Sequence, residues 1–344
     1  MNVLLNEIAQ SVLKKFGVTP VSISLIQGDS IKTVWRIGTP GGDLCLKRLK
    51  QSYDKALFSV NAQIYIKKSG GKVPGIIPAA NGRLIIEHNE QLFVLYEWID
   101  GKDLNFGNPA DLHTAIRGLA DFHAATKGYL PDENCRVSSK LGKWPEQYRS
   151  MLNKLDSWRA IAGVDASRPD HTAYLKYADQ MSGMGGLALK ALEASAYNLL
   201  TGSGSTSVVL CHQDYGRGNV LNSKNGVFLL DLDGVTFDLP ARDLRKLTGK
   251  NAENRNLWEA SAIREILGWY EEGNPLGNDD KSILYIDLLF PHWFFGLVKN
   301  LFQNGKPLKA AEIVRIAKLE ESKVQILKVL LKRSEQLEHS HDMH

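Results

Sequence analysis

Two periods divide this chain. Through roughly the first hundred residues the chain reads as short strand-like runs, and the run at 21–27 alternates apolar and polar positions, the repeat of a half-buried strand. Such runs span residues 21–27, 33–37, 44–49, 84–88 and 92–98. A Thr-Pro-Gly-Gly turn separates the second run from the third, and Asn89-Glu90 separates the last two, so antiparallel hairpins are predicted. Between the hairpins, residues 54–68 change to helical spacing and stop at Gly70-Gly71. From Asn108 onward the helical period dominates. It predicts helices over 109–126, 144–160, 172–200, 252–273, 279–303 and 308–338, with Pro109 in a first turn where its missing N–H costs nothing. The expected fold class is therefore α+β: a small antiparallel sheet lobe with one helix (1–99), then a larger, mainly helical lobe (100–344).

One stretch breaks the helical pattern. Residues 208–233 read as an apolar strand, a polar loop, a short strand at 220–222, a turn containing Asn225-Gly226, and a returning strand at 227–232. The loop sets His212, Asp214 and Asn219 in an H-x-D-x-x-x-x-N pattern, and Asp231 follows Asn219 by twelve positions. A hairpin of that length folds Asp231 back beside Asn219. Two candidate metal ligands from distant positions, Asn219 and Asp231, thereby converge. Kinases of the protein-kinase type use this pattern: one Asp receives the proton of the acceptor hydroxyl, while an Asn and a second Asp hold the metals on ATP.

The join between the two regions, at Glu97, Trp98 and Ile99, is an extended segment leaving the sheet, and Gly101 lets the chain turn. Its backbone N–H and C=O groups suit a flat heterocycle, so adenine is expected there.

Composition narrows the partners only slightly. With 344 residues the chain exceeds one ordinary core, and 43% apolar with 23% charged residues is usual for a globular protein. A net charge of +4 suits an anionic substrate such as ATP, but no basic run interleaved with aromatics points to nucleic acid. Cys45, Cys135 and Cys211 form no C-x-x-C pair and no disulfide framework. The N-terminal segment has helical spacing broken by Asn, Glu and Gln, unlike a signal peptide. No run approaches the ~18 apolar residues of a membrane span. The terminal His339, His341 and His344 are read as a frayed end.

Several stretches resemble the aminoglycoside-phosphotransferase and choline-kinase-like group, and within it the CotS-type spore coat proteins. They are LCLKRLK (44–50), VPGIIPAANGRLII (73–86), LYEWIDGKDL (95–104), LADFHAAT (119–126), LCHQDYGRGNVL (210–221) and LLDLDGVTFDLPARDLRKL (229–247). The resemblance implies a bilobal protein-kinase-like fold that uses ATP and Mg²⁺ to phosphorylate a hydroxyl of a small molecule or coat glycan precursor. It implies Asp214 as the catalytic acid-base group, Asn219, Asp231 and Asp233 as metal ligands, Lys47 on the phosphates, and Ser30, beside Gly28 and Asp29, in the phosphate-covering turn. His212 and Asp243 are expected to brace the loop, and His123 to pack in a core. Synthesis in the mother-cell cytoplasm, deposition in the coat and contact with other coat proteins are also implied.

One departure stands out. The helix that should carry a Glu against Lys47 has Ser59, Asn61 and Gln63 in the plausible positions, and residues 54–70 contain no Glu. A neutral amide cannot replace a charge-assisted bond, so a kinase-shaped structural component of the coat is the alternative reading. The acceptor pocket is expected among helices 144–200 and 252–303, where Trp144, Trp258, Tyr270 and Trp293 either line it or pack the core.

Overall fold

In the computed structural model, residues 2–28 and 33–341 are described, with side chains from 4–28 and 33–332. The chain opens with helix α1 (Asn2–Phe16), followed by strands β1 (Ser22–Gly28), β2 (Thr33–Thr39) and β3 (Gly42–Leu49), helix α2 (Tyr53–Lys68), and strands β4 (Ile76–Ile77), β5 (Ile86–His88) and β6 (Gln91–Glu97). These strands form one antiparallel sheet in the order β1-β2-β3-β6-β4, with β5 also on β6. Alternation explains how both faces are covered. Trp35, Ile37, Leu46, Phe93 and Leu95 pack on Ala9, Val12, Leu13 and Phe16 of α1. Leu49, Val94 and Tyr96 face the other way and cluster with Ala56 and Val60 of α2. Lys47 follows Leu46 and so points away from the α1 core.

The chain continues through β7 (Lys102–Asp103) and α3 (Pro109–Thr126), then α4 (Trp144–Val164), α5 (Pro169–Ala194), the short α6 (Tyr197–Leu200) and β8 (Val209–Cys211). Next come the hairpin β9 (Val220–Ser223) and β10 (Gly226–Leu229), a 3₁₀ turn at Leu232–Gly234, β11 (Thr236–Asp238), and helices α7 (Ala241–Arg255), α8 (Ala260–Glu271), α9 (Asn278–Leu289), α10 (His292–Phe302) and α11 (Ala310–His341). No described helix is long and apolar enough to cross a membrane.

Two compact units result, and both are discontinuous in sequence. The first comprises Met1–Ser139 and His212–Thr236, the second Lys140–Cys211 and Phe237–His344.

In the first unit the hairpin is held on several sides. Strand β7 pairs with β9 to give a three-stranded sheet β10-β9-β7, in which Lys102 faces Asn222 and Asp103 faces Leu221. A Cβ on Gly101 would lie 2.9 Å from the Leu221 Cβ, so only glycine permits this approach. The Leu229 amide donates to the Lys72 carbonyl at 2.9 Å, and the Tyr215 hydroxyl donates to the Ala115 carbonyl on α3.

Several predicted elements have different bounds, for identifiable reasons. The strand expected at 84–88 begins only at Ile86, and its turn holds Asn89 and Glu90 at φ 50 and 58, the primed geometry of a two-residue hairpin loop. The helix expected over 252–273 is two helices. Asn256 terminates α7 in the left-handed region at φ 51, with the Leu257 amide donating to the Ala252 carbonyl. The helix expected over 279–303 divides at Pro291, which has no N–H and disfavours helical backbone at Phe290. Glu320 caps the new end, accepting from the amides of Trp293 at 2.8 Å and Phe294 at 3.1 Å. The helix expected over 172–200 starts at Pro169 and stops at extended Ser195. The returning strand expected to reach 232 ends at Leu229.

In the second unit the core is stapled by buried ions. Asp287 accepts from Arg245 at 3.0 Å, His292 at 2.8 Å and the Tyr148 hydroxyl. These partners offset its burial and hold its carboxyl well below the usual range, while burial first, and Arg245 second, lower His292 to about 4. Trp144, Trp258 and Tyr270 are core residues here, and Asp243 is fully buried. Trp144 and Trp293 also border a cavity of about 710 Å³ in this unit.

The packing of α3 against the hairpin yields a test. A Cβ on Gly118 would stand 2.6 Å from the Val227 Cγ1. Gly118→Val should therefore destabilise the protein by about 1–3 kcal/mol despite removing a helix glycine, seen as a lower urea midpoint at unchanged m-value. An unchanged or raised midpoint would contradict this packing.

Candidate active site

The geometry begins with the hairpin register. Leu229 pairs with Val220, and the Leu230 amide donates to the Asn219 carbonyl at 2.9 Å, so the chain leaves β10 directly beside Asn219. Asp231 then adopts left-handed backbone, φ 60 and ψ 56. The turn that follows brings Asp233 round to the same side as Asp231. Both carboxylates meet one cation: Lys47 Nζ lies 2.6 Å from Asp231 Oδ1 and 2.6 Å from Asp233 Oδ2. The lysine side chain is 8% exposed, against 23% and 27% for its partners. Burial alone would lower its pKa, but the charges of Asp233 and Asp231 outweigh that and raise it.

Asn219 joins this group to Asp214. Its Nδ2 donates to the Asp214 carbonyl at 2.9 Å and to Asp214 Oδ2 at 3.2 Å. With the amide nitrogen so engaged, the Asn219 oxygen is directed elsewhere and is available as a ligand. Buried His212 braces the loop, its Nε2 facing the Leu230 carbonyl at 2.8 Å and its Nδ1 accepting from the Asp214 amide at 3.3 Å. That pairing requires the proton on Nε2. Gln213, between them, sits at φ 67 and donates to the Gly234 carbonyl. A non-glycine residue held there costs about 1–2 kcal/mol, evidence that the loop's shape is imposed by its surroundings.

A cavity of about 250 Å³ in the first unit has Lys47, Asn219, Asp231, Glu97, Trp98 and Ile99 in its wall. Six candidate residues thus share one cavity, and Asp214 and Asp233 are tied to it through Asn219 and Lys47. Ser30 and Asp29 lie outside the described residues. The side chains of Glu97 and Trp98 have partners of their own. Glu97 accepts from Lys67 at 2.5 Å and from the Gly75 amide at 2.8 Å, and Trp98 donates to Asp100 at 3.0 Å beneath the Arg36 guanidinium. The Glu97 amide donates to the Gly75 carbonyl, the Trp98 amide to the Asp43 carbonyl; among the described residues none accepts from the Ile99 amide.

Sequence reading missed the apolar walls. Val34 and Ile26 contribute from the sheet, and Leu221 and Leu230 from the hairpin. Alternation marked Val34 as a strand residue but could not say which cavity it borders. Cys45 also borders the cavity, and burial pushes its thiol up to about 11, more than Lys47 lowers it.

The departure on α2 has a structural counterpart. Gln63 donates to the Pro74 carbonyl at 2.7 Å, Ser59 accepts from Gln51 at 3.0 Å, and the Asn61 amide faces Cys135 Sγ. None of these contacts involves Lys47.

Comparisons with known proteins give the family and the fold. The profile of the phosphotransferase enzyme family matches residues 22–276. Spore coat protein S of Bacillus subtilis is 28% identical over 303 residues, covering 87% of this chain and 86% of that protein. An aminoglycoside phosphotransferase from Alicyclobacillus acidocaldarius superposes with a TM-score of 0.74 at 17% identity, covering 95% of this chain and 96% of that one. An amicoumacin kinase in complex with AMP-PNP, Ca²⁺ and Ami gives 0.58 at 17% identity, covering 95% and 97%. The fold is that of the aminoglycoside phosphotransferases.

His212→Leu removes the ring that faces the Leu230 carbonyl and accepts from the Asp214 amide. It should cost about 1–3 kcal/mol and speed hydrogen exchange at the Asp214 amide. Unaltered exchange there would show that the imidazole does not hold the loop.

Proposed function

The chain belongs to the phosphotransferase enzyme family, and on that premise we propose that it is an ATP- and Mg²⁺-dependent phosphotransferase acting on a hydroxyl of a small molecule or coat glycan precursor in the bacterial spore coat. The observation that carries this reading is the convergence of Lys47, Asp231 and Asp233 at 2.6 Å contacts, with Asn219 linked to Asp214 beside them. Folding alone does not require a lysine, a carboxylate and an amide to share an apolar cavity, with two further carboxylates bonded to them.

The donor set fits the metal. Two carboxylates and an amide oxygen are hard, and the remaining octahedral positions suit water and phosphate. Asp231, Asp233 and Asn219 would hold Mg²⁺, which when bound neutralises charge on the transferring phosphoryl group. Lys47 would hold the α- and β-phosphates. Backbone groups of Glu97 to Ile99 would receive adenine between the walls of Val34 and Leu221. Asp214 orients the acceptor hydroxyl; as its oxygen bonds to the γ-phosphorus and the bond to ADP breaks, the hydroxyl proton passes to the Asp214 carboxylate. The amicoumacin kinase complex with AMP-PNP and Ca²⁺ supports a nucleotide and divalent metal in this fold.

Similarity to spore coat protein S supports deposition in the coat; synthesis in the mother cell and contact with other coat proteins are part of the same proposal. A second reading, a kinase-shaped structural component of the coat, is favoured by one observation: α2 brings no carboxylate to Lys47. Mg²⁺-dependent heat on titration with ATP would separate the two.

Asp214→Asn keeps the shape and the Asn219 contact but removes the proton acceptor. Phosphoryl transfer to a hydroxyl acceptor should fall by about 10²–10⁴-fold, with Mg-ATP affinity within about threefold of the parent, measured by coupled ADP release and calorimetry. Full turnover in this variant would refute Asp214 as the catalytic residue.

A further inference from the structure

We propose, resting on the reading of the site given above, that Lys47 is a built-in counter-cation that keeps Asp231 and Asp233 closed to divalent metal until a nucleotide phosphate draws it aside, so that metal and nucleotide enter together. The ammonium lies 2.6 Å from one oxygen of each carboxylate, so the groups proposed to ligate the metal are also the groups that neutralise the lysine. A Mg²⁺ or Mn²⁺ bound to the same oxygens at about 2.1 Å would stand within about 5 Å of the ammonium. At that separation, in a site this buried, the repulsion is poorly screened.

In the usual arrangement a Glu on the small-lobe helix shares the lysine's charge. Here α2 offers amides and a hydroxyl, and each has another partner: Gln63 at Pro74, Ser59 at Gln51 and Ala56, and Asn61 at Cys135. Cys45, which feels the Lys47 charge, and Tyr96, which feels those of Asp233 and Asp231, are both driven toward their neutral forms by burial. The lysine's charge therefore falls on Asp231 and Asp233. A phosphate changes this balance, because it supplies anionic oxygens to the lysine and to the metal at once. By linkage, metal must then tighten nucleotide by the same factor that nucleotide tightens metal.

The test is Mn²⁺ binding to the full chain, followed by electron paramagnetic resonance at neutral pH, with and without AMP-PNP. The parent protein should bind Mn²⁺ at least tenfold more tightly with the analogue present. Lys47→Met, which removes the charge, should bind Mn²⁺ alone at least tenfold more tightly than the parent, whereas Lys47→Arg, which keeps it, should not. Circular dichroism checks that the variants fold. If Lys47→Met does not fold, the parent's coupling decides, and equal Mn²⁺ affinity with and without AMP-PNP overturns the proposal. Metal affinity unmoved by Lys47→Met overturns it too, while leaving the nucleotide reading intact if the parent binds Mn²⁺ with AMP-PNP. Failure to bind Mn²⁺ under any condition overturns both.

Discussion

A buried ammonium bridging two carboxylates holds the first unit's site in shape. Removing an ion from water costs several kcal/mol, and only close opposite charge offsets it. Lys47 sits on β3 in the middle of the sheet, while Asp231 and Asp233 sit more than 180 residues later, on the turn after the hairpin. The ion pair therefore fixes that turn against the sheet. The left-handed backbone of Asp231 and the displaced backbone of Gln213 are both unfavourable locally, and both flank the residues that the bridge and the His212 contacts hold. Local strain is tolerated here because the tertiary contacts leave no alternative.

The same bridge joins chemistry to architecture. The hairpin is one edge of the three-stranded sheet β10-β9-β7, and β7 immediately follows the joining segment at Glu97 to Ile99. The backbone of Glu97 to Ile99 and the carboxylates of Asp231 and Asp233 are thus separated by a fixed number of ladder steps. A slip of one residue would displace one relative to the other by about 3.4 Å. Gly101 and Gly118 allow the close approaches that keep the ladder in register.

Much of this was legible in the sequence, and the reasons are physical. Alternation shows in β2, whose Trp35 and Ile37 are buried on the α1 side, whereas β6, covered on both faces, reads as a continuous apolar run. The Asn225-Gly226 pair marked the hairpin, whose tip is Lys224-Asn225 followed by Gly226 at φ 110. The spacing of Asp214, Asn219 and Asp231 marked the candidate site because a short hairpin returns the chain by a fixed amount. Helix ends read less well. The break at Pro291 carried a plain signal that the apolar run of 292–302 outweighed, and Asn256 was hidden by helical periodicity on both sides. Least legible was the destination of Lys47. No local pattern tells a lysine on a strand that its counter-charge will come from a distant turn.

The discontinuity of the two units affects how the chain is made. Residues 1–139 emerge from the ribosome first, yet the unit to which they belong is completed only by 212–236. In between, more than seventy residues of the other unit are synthesised, and for that interval β3 carries a lysine whose anionic partners do not yet exist. A sheet that buried Lys47 early would hold an uncompensated charge. Nascent β3 should therefore remain open on its Lys47 face until the hairpin arrives, and neither unit can be excised as a single continuous fragment.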